Sequence, residues 1–83
     1  MVKEKDNIDF SEYSANAVCF DYSGNFVGSA LDNGEIKIYN TDLAKFEATL
    51  KGHDDAVQDV IFDYKSKAIY SCGSDSTFRI WQW

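Results

Sequence analysis

The sequence predicts an all-β chain built from two copies of one antiparallel sheet unit. Three observations predict it. The tripeptide FDY at 20–22 returns at 62–64, and the match extends without gaps at an offset of 42 residues. Apolar and polar residues alternate at the strand period of two. The chain has no proline and no helical periodicity of useful length, and its turn signals fall between the alternating runs.

At that offset Val18 falls on Val60, Val27 on Ile69, Ser29 on Ser71, Asn33 on Asp75 and Ile36 on Phe78. Lys37 falls on Arg79, Ile38 on Ile80 and Tyr39 on Trp81. A repeat of about 40 residues with strand-like content points to the blades of a β-propeller.

The elements follow in chain order. Residues 1–14 read as an N-terminal tail. MVKEKDNIDF carries charge but no apolar core of a secretory signal. KEK at 3–5 is a tail, and NIDF at 7–10 is a candidate isolated strand. The first unit, 15–50, supplies four strands. ANAVCF (15–20) ends in apolar, β-prone residues. FVGSA (26–30) follows the polar turn DYSGN. EIKIY (35–39) puts Ile36 and Ile38 on one face and Glu35, Lys37 and Tyr39 on the other. Before it lies DNG, a hairpin turn in which Asn and Gly accept positive φ. FEATL (46–50) is the fourth strand, after a turn over 42–45. The second unit, 51–83, supplies VQDVIF (57–62), AIYSC (68–72) and a strand over 77–82. GSDS at 73–76 is its matching turn. A fourth strand is missing from this unit, so the propeller is incomplete as a single chain.

Composition excludes several functions. At 83 residues the chain forms one small domain at most, with a marginal core of its own. A net charge of −6 argues against nucleic acid, which calls for clustered Lys and Arg, and against an anionic membrane surface. No apolar run approaches the roughly 20 residues that span a bilayer. Cys19 and Cys72 are expected as reduced, buried thiols, with a disulfide as the minor reading. Neither they nor His53 show metal-ligand spacing, so no metal or cofactor is expected. The acidic pair at 54–55 reads as a solvated loop.

GHDDAVQDVIFDYKSKAIYSCGSDSTFRIW (52–81) resembles one WD40 repeat, with GH near its start and Trp near its end. ANAVCFDYSGNFVGSALDNGEIKIYN (15–40) resembles a more diverged one. The resemblance implies two WD40 blades of four-stranded antiparallel sheet, the second lacking its outermost strand. It also implies a structural hydrogen-bond network of His53, Ser71, Asp75 and Trp81. The chemistry suits burial: the indole only donates, the hydroxyl donates and accepts, the imidazole bridges and the carboxylate accepts. In the first unit the matching positions hold Tyr39, Ser29, Asn33 and Ser11, so that blade is expected to lack the full network. Ser, His and Asp together invite a nucleophilic reading. A triad needs an exposed Ser beside an oxyanion hole, whereas Ser71 lies mid-strand among apolar residues. No catalytic residue and no small-molecule substrate are expected.

GHDDAVQDVIFD followed by SCGSDSTFRIW is also similar to the last two blades of the axonemal central-apparatus WD40 proteins of the ciliary sperm-associated-antigen type. That resemblance implies a non-enzymatic scaffold on the central pair of microtubules in motile cilia. The alternative is a cytoplasmic WD40 adaptor or complex subunit unrelated to cilia. The family's coiled coil and earlier blades are absent here.

Two blades leave two faces open, drawn from Val18, Phe20, Ile36, Ile38, Val60, Phe62, Ile69 and Phe78. Other protein chains are therefore the expected partners, with Thr77, Phe78, Arg79 and Trp83 as candidate contacts along an unpaired edge. Three completions stay open: another WD40 or axonemal chain, a closed homo-oligomer of this chain, or further blades of a longer propeller.

Overall fold

The structure is a computed structural model that describes residues 2–4, 7, 14–63, 65 and 68–82. Among these residues all regular structure is β. The strands are β1 (Ala15–Phe20), β2 (Phe26–Leu31), β3 (Glu35–Asn40), β4 (Lys45–Lys51), β5 (Val57–Phe62), β6 (Ala68–Gly73) and β7 (Phe78–Gln82). They form two antiparallel meanders, β1-β2-β3-β4 and β5-β6-β7. Consecutive strands pair because each connection is a short turn, which permits antiparallel neighbours. The candidate strand at 7–10 lies largely outside the described residues.

The 42-residue repeat holds down to single hydrogen bonds. Asp21 N–H donates to Phe26 O, and Asp63 N–H donates to Ala68 O, both at 2.9 Å. Asp32 N–H donates to Ser14 O at 2.9 Å, and Ser74 N–H to Ala56 O at 2.8 Å. A register shift interrupts β1 between Ala15 and Ala17 and β5 between Val57 and Asp59. Two sequences that differ at most positions thus carry one backbone design, inner-strand irregularity included.

The strand ends differ slightly from the sequence reading. β2, β3 and β6 run one residue further than expected, and β4 extends one residue at each end, so that Lys45 joins the strand and not the turn. β7 starts at Phe78, because Thr77 N–H is turned to the Asp75 carboxylate at 3.1 Å. The DNG turn needs one correction: of its residues only Gly34 has positive φ, at 90°. A Cβ there would also stand 2.6 Å from the His53 carbonyl oxygen, so the first hairpin is pressed against the loop that opens the second unit.

The two sheets stack face to face, with β5 lying across β1, β2 and β3. Residues opposite one another on paired strands share a face. Ala17, Cys19, Gly28, Ala30, Ile36 and Ile38 therefore share one face of the first sheet. Val60, Phe62, Ile69, Ser71 and Trp81 share one face of the second. These faces meet. Ala30, Ile36, Ile38, Val57, Val60 and Ile69 form the buried cluster, with Phe62, Leu50 and Trp81 packed around it.

That placement corrects the expected open faces. Ile36, Ile38, Val60 and Ile69 are buried between the sheets, not exposed. Among the exposed apolar residues, Val18 and Phe20 lie on the far side of the first sheet, and Ile61, Phe78 and Ile80 on the far side of the second. The thiols are corrected too. Both are free, but Cys19 is only half-buried and Cys72 is exposed, because Cys72 belongs to the second sheet's outer face.

Candidate functional site

The polar centre of the second sheet is assembled from four places in the chain. The loop before β5 supplies His53, mid-β6 supplies Ser71, the β6–β7 turn supplies Asp75, and β7 supplies Trp81. Trp81 Nε1 donates to Ser71 Oγ at 2.8 Å. Ser71 Oγ stands 2.7 Å from His53 Nε2. His53 Nδ1 stands 3.0 Å from both carboxylate oxygens of Asp75. One proton arrangement satisfies all four groups. The indole donates to the hydroxyl, the hydroxyl donates to Nε2, and Nδ1–H donates to the carboxylate. Ser71 is 2% exposed and His53 is 7% exposed.

Thr77 extends this chain, which the sequence reading did not foresee. Its hydroxyl donates to Asp75 Oδ1 at 2.7 Å and accepts from Arg79 Nε at 3.2 Å. Arg79 also places Nη2 3.7 Å from Asp75 Oδ2. Both residues were expected as partner contacts, and the structure places them around the carboxylate. The only sequence signal was the polar spacing Asp75, Thr77, Arg79 across the turn and the start of β7.

Asp75 carries the strongest electrostatic signature. Burial alone pushes its carboxyl up. The Thr77 hydroxyl, the backbone N–H of Asp54, His53 and the Thr77 N–H overcome that and hold it well below the usual carboxylate range. The Asp54 N–H lies 3.0 Å from Oδ2. Two glycines make room for the chain. A Cβ on Gly73 would stand 2.7 Å from His53 Nδ1, and one on Gly52 would stand 2.7 Å from Trp81 Cη2.

Among the described residues the matching positions of the first sheet make other contacts. Ser29 Oγ donates instead to Lys37 O at 3.2 Å. Asn33 pairs locally with Glu35, through Oδ1 to the Glu35 N–H at 3.1 Å and Nδ2 to its carboxylate at 3.0 Å. Tyr39 packs edge-on against Phe46, with ring centroids 5.2 Å apart. Ser11 lies outside the described residues.

Chemically the chain of four is saturated. Every polar atom faces another, and the hydroxyl that a nucleophile would expose is buried under the indole. Among the described residues no cluster of His, Cys, Asp and Glu is arranged to hold a metal ion. The surfaces offered to other molecules lie elsewhere. Phe78 is 66% exposed and Ile80 67% exposed on the outer face of the second sheet. β7 is an edge strand in its sheet among the described residues. Trp83 lies outside them.

Residues 44–82 match the family model described as WD40: WD domain, G-beta repeat. Among curated proteins, the nuclear distribution protein nudF 2 of Aspergillus clavatus is 34% identical over 70 residues, covering 80% of this chain and 16% of that protein. The nuclear distribution protein PAC1 of Arthroderma benhamiae is 40% identical over 68 residues, covering 80% and 15%. The chain thus spans about a sixth of the length of these relatives. Among solved structures, the β-propeller domain of Myceliophteria thermophila Cps50 (Swd1) superposes with a TM-score of 0.80 at 20% identity, covering 89% of this chain and 24% of that one. The RRP9 WD40 repeats superpose with a TM-score of 0.73 at 23% identity, covering 78% and 20%.

Proposed function

From the premise that residues 44–82 carry a WD40 repeat and that the two sheets fold as propeller blades, we propose that the chain is a non-enzymatic interaction scaffold. It works as two adjacent blades of a ring that other blades complete. Recognition is by shape and edge, not by chemistry on a substrate. The observation that carries this reading is the pair of stacked sheets. They bury one shared face each and leave Val18 and Phe20 exposed on one side and Phe78 and Ile80 on the other. Apolar patches of this kind mark interaction surfaces. Phe78, at the rim of the β7 edge, is the contact residue of this reading, while Thr77 and Arg79 hold the edge in shape.

The relatives are nuclear distribution proteins, which favours a cytoplasmic adaptor or complex subunit without a ciliary role. A placement on the ciliary axoneme is a second reading. It rests on GHDDAVQDVIFD and SCGSDSTFRIW, and none of the relatives named above carries a ciliary name. Fractionation separates the two. An adaptor is recovered in the soluble extract, and an axonemal component stays with detergent-insoluble axonemes until high salt releases it. Ser71→Ala separates scaffold from enzyme: it lowers folding stability and leaves no hydrolytic activity to abolish.

A further inference from the structure

The first sheet shows what a face of this kind receives. Its buried side carries Gly28, and the Phe62 ring lies over it: a Cβ at Gly28 would stand 3.1 Å from Phe62 Cε2. The absence of a side chain at Gly28 is what lets an inner-strand Phe of the next sheet sit there. The outer side of the second sheet is the same face one repeat later. Ile36 and Ile38 become Phe78 and Ile80, Ala30 becomes Cys72, and Gly28 becomes Tyr70.

That last exchange changes what fits. Tyr70 donates its hydroxyl to Asp63 Oδ2 at 3.1 Å and stacks on Phe78, with ring centroids 5.9 Å apart and 22° between planes. It is held over the spot that Gly28 leaves bare. An inner strand bringing a Phe there meets a tyrosine ring in place of a backbone. This chain's inner strands carry Phe20 and Phe62 at that position, so each of them is too large.

The rest of the face continues the existing interface. Asn16 Nδ2 donates across the sheets to Val57 O at 2.9 Å and, within its own unit, to Asp32 Oδ1 at 3.3 Å. Its counterpart Gln58 already donates to Ser74 Oγ at 2.7 Å, and an amide nitrogen has a second proton to give to a docked strand. A hollow of about 130 Å³ bounded by Tyr70, Cys72 and Phe78 opens on this face beside Cys72, the counterpart of Ala30, which on the first sheet belongs to the buried cluster.

Building on the propeller reading, we propose that this face takes a further four-stranded blade whose inner strand carries Gly, Ala or Ser where Phe20 and Phe62 stand here. The face thereby selects against a second copy of this chain.

The test uses the full chain in two roles. An acceptor carries Phe20→Glu, which blocks its first-sheet side. A donor carries Ile80→Glu, which blocks its second-sheet side. Each variant is first shown to keep the parent's circular dichroism and melt. Binding of labelled donor to acceptor is then titrated by fluorescence anisotropy. The donor with Phe20→Ala is expected to bind at least about tenfold more tightly than the donor that keeps Phe20, the scale of overpacking one core position. Adding Tyr70→Gly to the acceptor is expected to bring the Phe20 donor to the same affinity. If the Phe20 donor binds the unaltered face as tightly as the alanine form, the size rule is overturned and a second copy is an admissible occupant. If no donor binds any acceptor, the Tyr70→Gly form included, the face is not a blade-docking surface. The propeller-completion reading then falls with it.

Discussion

Gly34 and Ser76 hold the same left-handed backbone 42 residues apart, at φ 90° and φ 65°. Gly34 N–H donates to Leu31 O at 3.3 Å, and Ser76 N–H donates to Gly73 O at 3.2 Å. The residue before each accepts the same onward bond. Glu35 N–H reaches Asn33 Oδ1, and Thr77 N–H reaches Asp75 Oδ1, both at 3.1 Å. The turn is one device built twice, once with the residue it favours and once without.

Two substitutions are therefore expected to act in opposite directions. Ser76→Gly relieves a left-handed L-residue and stabilises the chain by about 0.5–1 kcal/mol. Gly34→Ala strains the backbone and drives a methyl against the His53 carbonyl, so it destabilises by more than about 1 kcal/mol. Urea unfolding checks both, on a background carrying Phe20→Glu and Ile80→Glu so that folding is read apart from association.

Ser71→Ala is expected to cost about 1–3 kcal/mol, because it strands the Trp81 indole N–H and His53 Nε2 in a dry site. Ser29→Ala, at the matching position of the first sheet, removes a single bond to the Lys37 carbonyl. It is expected to cost about 0.5–1.5 kcal/mol. Equal losses at the two serines, measured by the same unfolding assay, would show that the chain of four adds nothing beyond one hydrogen bond.

Folding lowers the Asp75 carboxyl below its ordinary 3.8, so the native state binds fewer protons there than the unfolded chain. Its contribution to stability is complete above the ordinary value and drains away as pH falls through it. Stability followed by denaturant unfolding from pH 6 downward is expected to drop most steeply below about pH 4. Asp75→Asn is expected to flatten that part of the curve while lowering stability at neutral pH.

Burial separates the two sets of apolar residues. Ile69 is fully buried between the sheets, and Ile69→Ala is expected to cost about 2–5 kcal/mol. Val18, at 55% exposed, is expected to tolerate Ala within about 0.5 kcal/mol in the isolated chain. Thermal melts of the two variants side by side check the contrast.

The sheet architecture was legible because strand alternation and the 42-residue offset are local signals. EIKIY alone assigns Ile36 and Ile38 to one face. Which face meets another sheet was not legible, since alternation gives two faces without naming the covered one. Val60 and Phe78 look alike as apolar strand residues, yet one is 1% and the other 66% exposed. The meeting of His53, Ser71, Asp75 and Trp81 came from motif positions. Thr77 was read as an edge contact because a threonine at a strand start has many uses, and only the carboxylate 2.7 Å away reveals its place in the chain of hydrogen bonds. Tyr70 was passed over for a similar reason. Its meaning comes from Gly28 at the matching position, and the significance of that glycine lies in the ring above it.

The central claim is that these two blades are an open arc with unfilled faces on both sides. The most direct test is particle mass, by size exclusion with light scattering on the chain expressed alone, across a wide concentration range. The account predicts a mass that rises only weakly above 9.4 kDa with concentration in the parent chain and steeply in the Phe20→Ala chain, without settling at a single closed stoichiometry, and it predicts that Phe20→Glu with Ile80→Glu suppresses the rise. A mass that stays at 9.4 kDa throughout even in the Phe20→Ala chain, with a single cooperative melt, would contradict it.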